Sequence, residues 1–321
     1  MKWKRLHFVR ATALCTLLSI NGAAQSLRIG IIGTDSSHAV EFTRLWNDAD
    51  DKDHVQGAVV VAAYRGGSPS LATSRDRIAR FTAELQQRSI PFVDSIGDLC
   101  PRVDGLLLLS VDPELRIREF RQAIACNKPI FVDKPFAPTL KVAEQMASMA
   151  KAKGVPWFST SVLRYSVQAP PHDLLAADIS GPGDPGQSYR LDLAWYGIHS
   201  IEALYALMGP GVRTVARTHT EATDVLTLVW RDGRIGTIRL IRPSAPFSAT
   251  TYIAGKAPVT TPLSVRYVAL VKDIVAFFNT RQTPVPAAET LEIFATMEAA
   301  QQSEHRGGRP YRLANVIRTK F

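Results

Sequence analysis

Four short stretches carry the residue types best suited to chemistry. The first is Gly33-Thr34-Asp35-Ser36-Ser37-His38. A dinucleotide fingerprint reads Gly-x-Gly-x-x-Gly: one glycine for the turn, one for close approach to pyrophosphate, one for helix packing. Gly33 meets the first requirement, while Asp35 and His38 stand at the second and third positions. Asp35 adds a side chain and a negative charge where a pyrophosphate would lie. Two readings stay open. In one, Asp35, Ser36 or Ser37 simply caps a helix that begins near His38. In the other, the loop from Gly33 and Thr34 onward still holds an anion on the helix N-terminus, with Ser36, Ser37 and His38 as donors. The second stretch is Tyr64-Arg65-Gly66-Gly67-Ser68, which lacks the acid that bonds the ribose hydroxyls of NAD. Arg65 with Ser68 suits a 2′-phosphate and so leans towards NADP, unless the loop merely exposes an arginine. The third is Lys128-Pro129-Ile130-Phe131-Val132-Asp133-Lys134-Pro135, where Pro135 fixes the backbone that aims Lys134. The fourth runs from Trp195 to Glu202 and carries Tyr196 and His199. A histidine titrates near neutral pH, and the two aromatic rings suit the apolar C–H face of a sugar.

Other chemistries find little support. His38, His54, His172, His199, His219 and His305 show no metal-binding spacing, so no metal is expected. A Gly-x-Ser-x-Gly elbow is missing. The net charge of +9 shrinks on inspection, because Lys2, Lys4, Arg5 and Arg10 all precede residue 25. The remainder holds 34 basic and 29 acidic residues, which points to no nucleic acid and no membrane surface. Residues 1–24 combine a basic start, the apolar Ala11–Ile20 and the small residues Gly22-Ala23-Ala24. That pattern is a secretory signal peptide cleaved after Ala24, so the mature chain is expected outside the cytoplasm, periplasmic or secreted. Export would permit Cys100 and Cys126 to pair, but an α/β core usually keeps such residues as buried thiols.

The elements that must position these stretches alternate. Apolar runs at Leu27–Gly33, Ala58–Tyr64, Pro91–Val93, Asp104–Ser110, Pro129–Val132 and Val155–Ser159 read as strands. Helical spacing fills the gaps at Ala39–Trp46, Ser70–Arg88, Ile96–Cys100, Pro113–Cys126 and Leu140–Lys153. Continuous apolar strands alternating with helices make a doubly wound parallel sheet, a Rossmann-type unit over 25–160. Ligands bind such sheets beyond the carboxyl ends of the strands, where the motif-bearing loops gather. Residues 161–321 read as a smaller α+β unit with a mainly antiparallel sheet. Ala169–Gln187 is expected as a loop, Leu193–Met208 as a helix, and Val212–His219, Asp224–Trp230, Ile235–Ile241 and Thr250–Ile253 as strands. Helices follow at Leu263–Asn279 and Ala287–Glu304.

The combination resembles the glucose–fructose oxidoreductase / inositol 2-dehydrogenase (Gfo/Idh/MocA) family. The segment ending Asp133-Lys134-Pro135 looks like that family's KPVxxEKP, with Asp133 for Glu. Gly197, His199 and Glu202 are similar to its D-x-G-x-H-x-x-D motif, with Trp195 at the first Asp. Arg164-Tyr165 matches an R-[FY] element that lines the family's site. The resemblance implies an NAD(P)-dependent oxidoreductase acting on a hydroxyl of a sugar, cyclitol or derivative. Lys134 and His199 would handle the proton, Asp133 and Pro135 would flank the cofactor, and Arg164, Tyr165, Trp195 and Tyr196 would meet the substrate. It also implies a second domain shortened between Tyr165 and Asp192, and pairing of subunits through an open sheet face. Two alternatives accompany it: NAD-assisted glycoside cleavage or elimination, and a cofactor-free carbohydrate-binding relic of the fold.

Overall fold

The computed structural model describes residues 26–168, 172–185 and 189–317, so the expected signal peptide lies outside the described residues. Six strands form a parallel sheet in the order β3-β2-β1-β4-β5-β6. They are β1 (Leu27–Ile32), β2 (Ala58–Tyr64), β3 (Phe92–Val93), β4 (Gly105–Leu108), β5 (Ile130–Asp133) and β6 (Trp157–Thr160). The intervening helices are α1 (Ser37–Asn47), α2 (Ala72–Gln87), α3 (Ile96–Leu99), α4 (Pro113–Ala125) and α5 (Leu140–Lys153). Their ends follow from local chemistry. Ser36 caps α1, Asp112 caps α4 with Pro113 in its first turn, and Thr139 caps α5, which stops at a left-handed Gly154. The order reverses between β1 and β4, which makes their carboxyl ends the switch point of the sheet.

The second sheet has seven strands in the order β12-β11-β7-β10-β9-β8-β13. They are β7 (Leu174–Pro182), β8 (Val212–His219), β9 (Thr223–Trp230), β10 (Ile235–Ile241), β11 (Ser248–Ile253), β12 (Val259–Pro262) and β13 (Tyr311–Arg312). All pairings are antiparallel except β7 with β10. Helix α6 (Gly197–Met208) lies against β7 and β10, and α8 (Ala287–Glu304) against β8. Helix α7 (Val268–Thr280) returns to the first sheet: Leu270, Ile274 and Phe277 join Ile29, Ile31 and Phe42 in one core. Gly105 makes room for Phe278 there, since a Cβ would lie 2.5 Å from its ring.

Three expectations need correcting. The stretch expected as a loop over Ala169–Gln187 contains β7, an interior strand hydrogen-bonded on both sides. Alternating burial of Ala177, Ile179 and Gly181 drives it, and the Pro, Gly and Asp residues at its ends hid the pattern. The second unit thus holds seven strands among the described residues. The helix expected from Leu193 begins at Gly197, after a 3-10 turn over Asp192–Ala194. Cys100 and Cys126 are not thiols but a disulfide. They end α3 and α4 side by side with Cα atoms 5.0 Å apart, inside the range a disulfide spans.

Candidate active site

The carboxyl ends of β1, β4 and β5 open onto a cleft of about 270 Å³ roofed by the start of α6. Ser36, Ser37, His38, Asp133, Lys134, Trp195, Tyr196 and His199 all line it, so the structure gathers three of the four sequence stretches, and the stretch from Tyr64 to Ser68 stays outside. Larger surface depressions exist, such as one of about 550 Å³ between α5 and α8, but none of them brings lysine and histidine together.

Lys134 projects from the end of β5. Its Nζ donates to the carbonyl of Trp195 at 3.1 Å and lies 5.1 Å from the centre of the indole ring. Burial, reinforced by the nearby Arg116 and Arg77, lowers its pKa to about 8 despite the opposing charge of Asp133. Trp195 thus serves as a platform for the lysine, with its edge to Tyr189 at 5.3 Å and to Tyr196 at 5.9 Å. Tyr196 remains open to solvent and to the cleft.

His199 sits in the first turn of α6. Its Nδ1 shares a 2.6 Å hydrogen bond with the hydroxyl of the fully buried Ser161, which also accepts the Leu163 N–H. Burial first, then the positive charge of Lys134, pushes its pKa well below the usual histidine value. A neutral imidazole beside a lysine poised near pH 8 forms a pair that can take up and relay a proton.

His38 is not a free anion donor. Its Nδ1 meets the Asp133 carboxylate at 2.8 Å and its Nε2 meets the Tyr267 hydroxyl at 3.0 Å. Asp133 also accepts the Lys134 N–H at 2.8 Å. Burial works against its ionisation, but His38, Arg116 and Lys134 hold the carboxyl down at about 2. Asp133 therefore orients His38 and the Lys134 backbone.

Arg116 escaped the sequence reading. Completely buried, it donates to the carbonyls of Ser110, Asp133 and Pro135, and at 3.4 Å to that of Lys134. Pro135 is buried beneath the cleft and contributes that carbonyl. An arginine on the same helical stripe as Phe120 and Ala123 was the available signal. Arg77, Tyr189, Phe247 and Tyr267 also line the cleft, and no local motif marks them.

Several expected site residues go elsewhere. Arg164 pairs with Glu202 at 2.8 Å and Glu289 at 2.7 Å in a buried cluster, and Tyr165 packs against the core beside α7. The charges of two buried carboxylates claim Arg164, so it does not line the cleft. Gly33, at φ +88, packs against Ser110, where a Cβ would meet backbone nitrogen at 2.5 Å. Thr34 is fully buried and bonded to Arg65 O at 3.2 Å and Thr82 Oγ1 at 3.0 Å. Arg65 is exposed on the surface. Ser36, not Asp35, is the cap: its Oγ accepts the His38 N–H at 3.2 Å.

A dinucleotide on a sheet of this order lies across the β1/β4 switch point, with its pyrophosphate on the first helix N-terminus. Half of that track is open. Ser36, Ser37, Lys134, Trp195 and Tyr267 offer donors and aromatic surface that fit a nicotinamide riboside. The other half is occupied by the chain itself. Asp35 is fully buried, accepting the Ser74 hydroxyl at 2.6 Å and the Val111 N–H at 3.1 Å. Ser74 Oγ accepts the Ser68 N–H at 2.8 Å. A Cβ on Gly66 would lie 3.1 Å from Gly33 Cα and 3.4 Å from Glu119 on α4. Residues 66–74 thus bridge from β2 towards α4 over the switch point. That segment stands on the side where the adenosine half of such a dinucleotide would lie.

No family model matches the chain, and no curated protein matches it. Solved structures do. A probable dehydrogenase from Thermotoga maritima superposes with a TM-score of 0.71 at 16% identity, covering 91% of this chain and 100% of that one. An oxidoreductase from Agrobacterium radiobacter, in complex with NAD+, L-tartaric acid and magnesium, gives 0.69 at 16% identity, over 91% and 100%. The myo-inositol dehydrogenase from Lactobacillus casei, in complex with NAD(H) and myo-inositol, gives 0.67 at 15% identity, over 92% and 98%. These likenesses show that the chain has the fold of dehydrogenases.

Proposed function

We propose that this chain is an oxidoreductase acting on a hydroxyl of a small carbohydrate-like molecule, a sugar, a cyclitol or a derivative. The observation that carries the reading is the Lys134–His199 pair at the open half of the cleft, on the fold of dehydrogenases whose structures hold NAD and a polyol. A bound NAD(P) would supply the hydride acceptor. Ser36, Ser37 and Lys134 would hold its nicotinamide end. Lys134 and the neutral His199 take the proton from the substrate hydroxyl, and Ser161 fixes the imidazole that relays it. Tyr196 and Phe247 offer apolar surface to the C–H face of a ring. Nothing in the loop around the exposed Arg65 favours NADP over NAD. Calorimetric titration with NAD(H) and NADP(H), followed by turnover of a polyol panel, tests the reading. Lys134→Ala is expected to abolish turnover.

A cofactor-free carbohydrate binder is the second reading, favoured by the Asp35 carboxylate in the phosphate track. It predicts polyol binding that no nucleotide alters. We also propose export: residues 1–24 read as a signal, and the Cys100–Cys126 disulfide suits an oxidising compartment. Sequencing the N-terminus of the mature protein tests this, with Gln25 expected first.

A further inference from the structure

We propose that Asp35 is an internal competitor for the dinucleotide's phosphate, and that with Ser74 it forms a latch holding residues 66–74 across the crevice until a dinucleotide displaces it. The inference rests on the oxidoreductase reading and deepens it by assigning control over cofactor access. Its basis is the set of partners Asp35 holds. A backbone N–H at the end of a parallel strand and a serine hydroxyl are donors that an incoming phosphate would recruit, and the carboxylate takes both. The captured hydroxyl belongs to α2 and in turn holds the Ser68 N–H, so one carboxylate ties the first loop, the β4–α4 loop and the 66–74 segment together.

Two further features fit a segment built to close. Gly67 takes φ +101, a conformation that L side chains rarely adopt, so the bend that seats the segment beside Ile78 of α2 favours glycine. Beneath it Glu119 is buried with Oε2 lacking a hydrogen-bond partner. Burial and the neighbouring Asp35 charge raise the Glu119 pKa to about 7. This second carboxyl repels an anion on the phosphate track only once ionised, as pH rises through about 7. The open half of the cleft, with Lys134 and His199, stays accessible throughout.

The test uses the full chain and measures binding by calorimetry with NADH and with ADP-ribose, which lacks the nicotinamide. Asp35→Gly is expected to tighten both at least about tenfold. Ser74→Ala keeps the carboxylate but frees the segment, and is expected to tighten them by a smaller factor and to speed amide exchange over residues 66–74. Should Asp35→Gly fail to fold, Asp35→Asn and Ser74→Ala carry the same comparison. Equal affinities within about twofold for the wild type and all variants overturn the latch, as does the lack of any nucleotide binding in every variant. Polyol oxidation separates this from the functional reading. Variants that gain ADP-ribose affinity but oxidise nothing support the latch and sink the enzyme. A wild type that oxidises polyols and binds NADH as tightly as Asp35→Gly does the reverse.

Discussion

Replacing Arg116 by methionine tests whether the lysine turn is held from below. The guanidinium is wholly buried and bonds the carbonyls of Ser110, Asp133 and Pro135, three acceptors from three positions around the cleft. Methionine fills similar space and donates nothing. Each of these three buried carbonyls left without its donor costs about 1–3 kcal/mol. Relaxation and water reaching the carbonyls reduce the sum, so a loss of about 3–5 kcal/mol is expected. At about 2–3 °C per kcal/mol for a chain of this size, the melting temperature falls by about 6–15 °C. Urea unfolding measures the loss directly. Arg116 also lowers the Lys134 pKa, so the variant's lysine should titrate higher, as read from the pH dependence of its labelling. A loss below about 1 kcal/mol with unchanged lysine titration would refute the bracing role.

Three further outcomes follow from the same structure. Oxidation rate should climb through about pH 8 as Lys134 loses its proton, and Lys134→Arg should remove that rise from the pH–rate profile. Glu119, raised from 4.5 to about 7, favours the folded state in its protonated form, so its stabilising effect is complete below pH 4.5 and is lost as pH rises through 7. Glu119→Gln should flatten that dependence and stabilise the protein at pH 8 by about 2–3 kcal/mol in urea titrations. Cys100→Ser should cost about 2–4 kcal/mol, because the disulfide closes a loop with a sequence separation of 26, and the native protein should show no free thiol at Cys100 or Cys126.

The parallel sheet was legible because its strands are unbroken apolar runs such as Leu106-Leu107-Leu108, and helix ends such as Thr139 and Gly154 carry their own cap chemistry. Strand β7 was not, since an interior strand flanked by prolines and glycines reads locally as a loop, and only its pairing with β10 and β11 reveals it. Lys134 and His199 were legible as residues, and the structure brings them to one cleft. The role of Trp195 was not, because nothing in its own stretch tells that Lys134 will lie over its ring. Arg164 misled for a related reason: its partners, Glu202 and Glu289, lie 38 and 125 positions away in the chain. Asp35 shows the same limit from the other side. Its departure from glycine was visible, but the ties to Ser74 and Val111 that give it a role exist only in the fold.

The central claim is that Lys134 and His199 act on a hydroxyl beside a nicotinamide. The most direct measurement is formation of reduced nicotinamide, followed by its absorbance, when wild type and Lys134→Ala are each given NAD or NADP with a panel of sugars and cyclitols. The account predicts turnover by the wild type with at least one polyol, and none by Lys134→Ala, which still binds that polyol. Polyol binding with no reduced nicotinamide from any pairing, unchanged by Lys134→Ala, would contradict it.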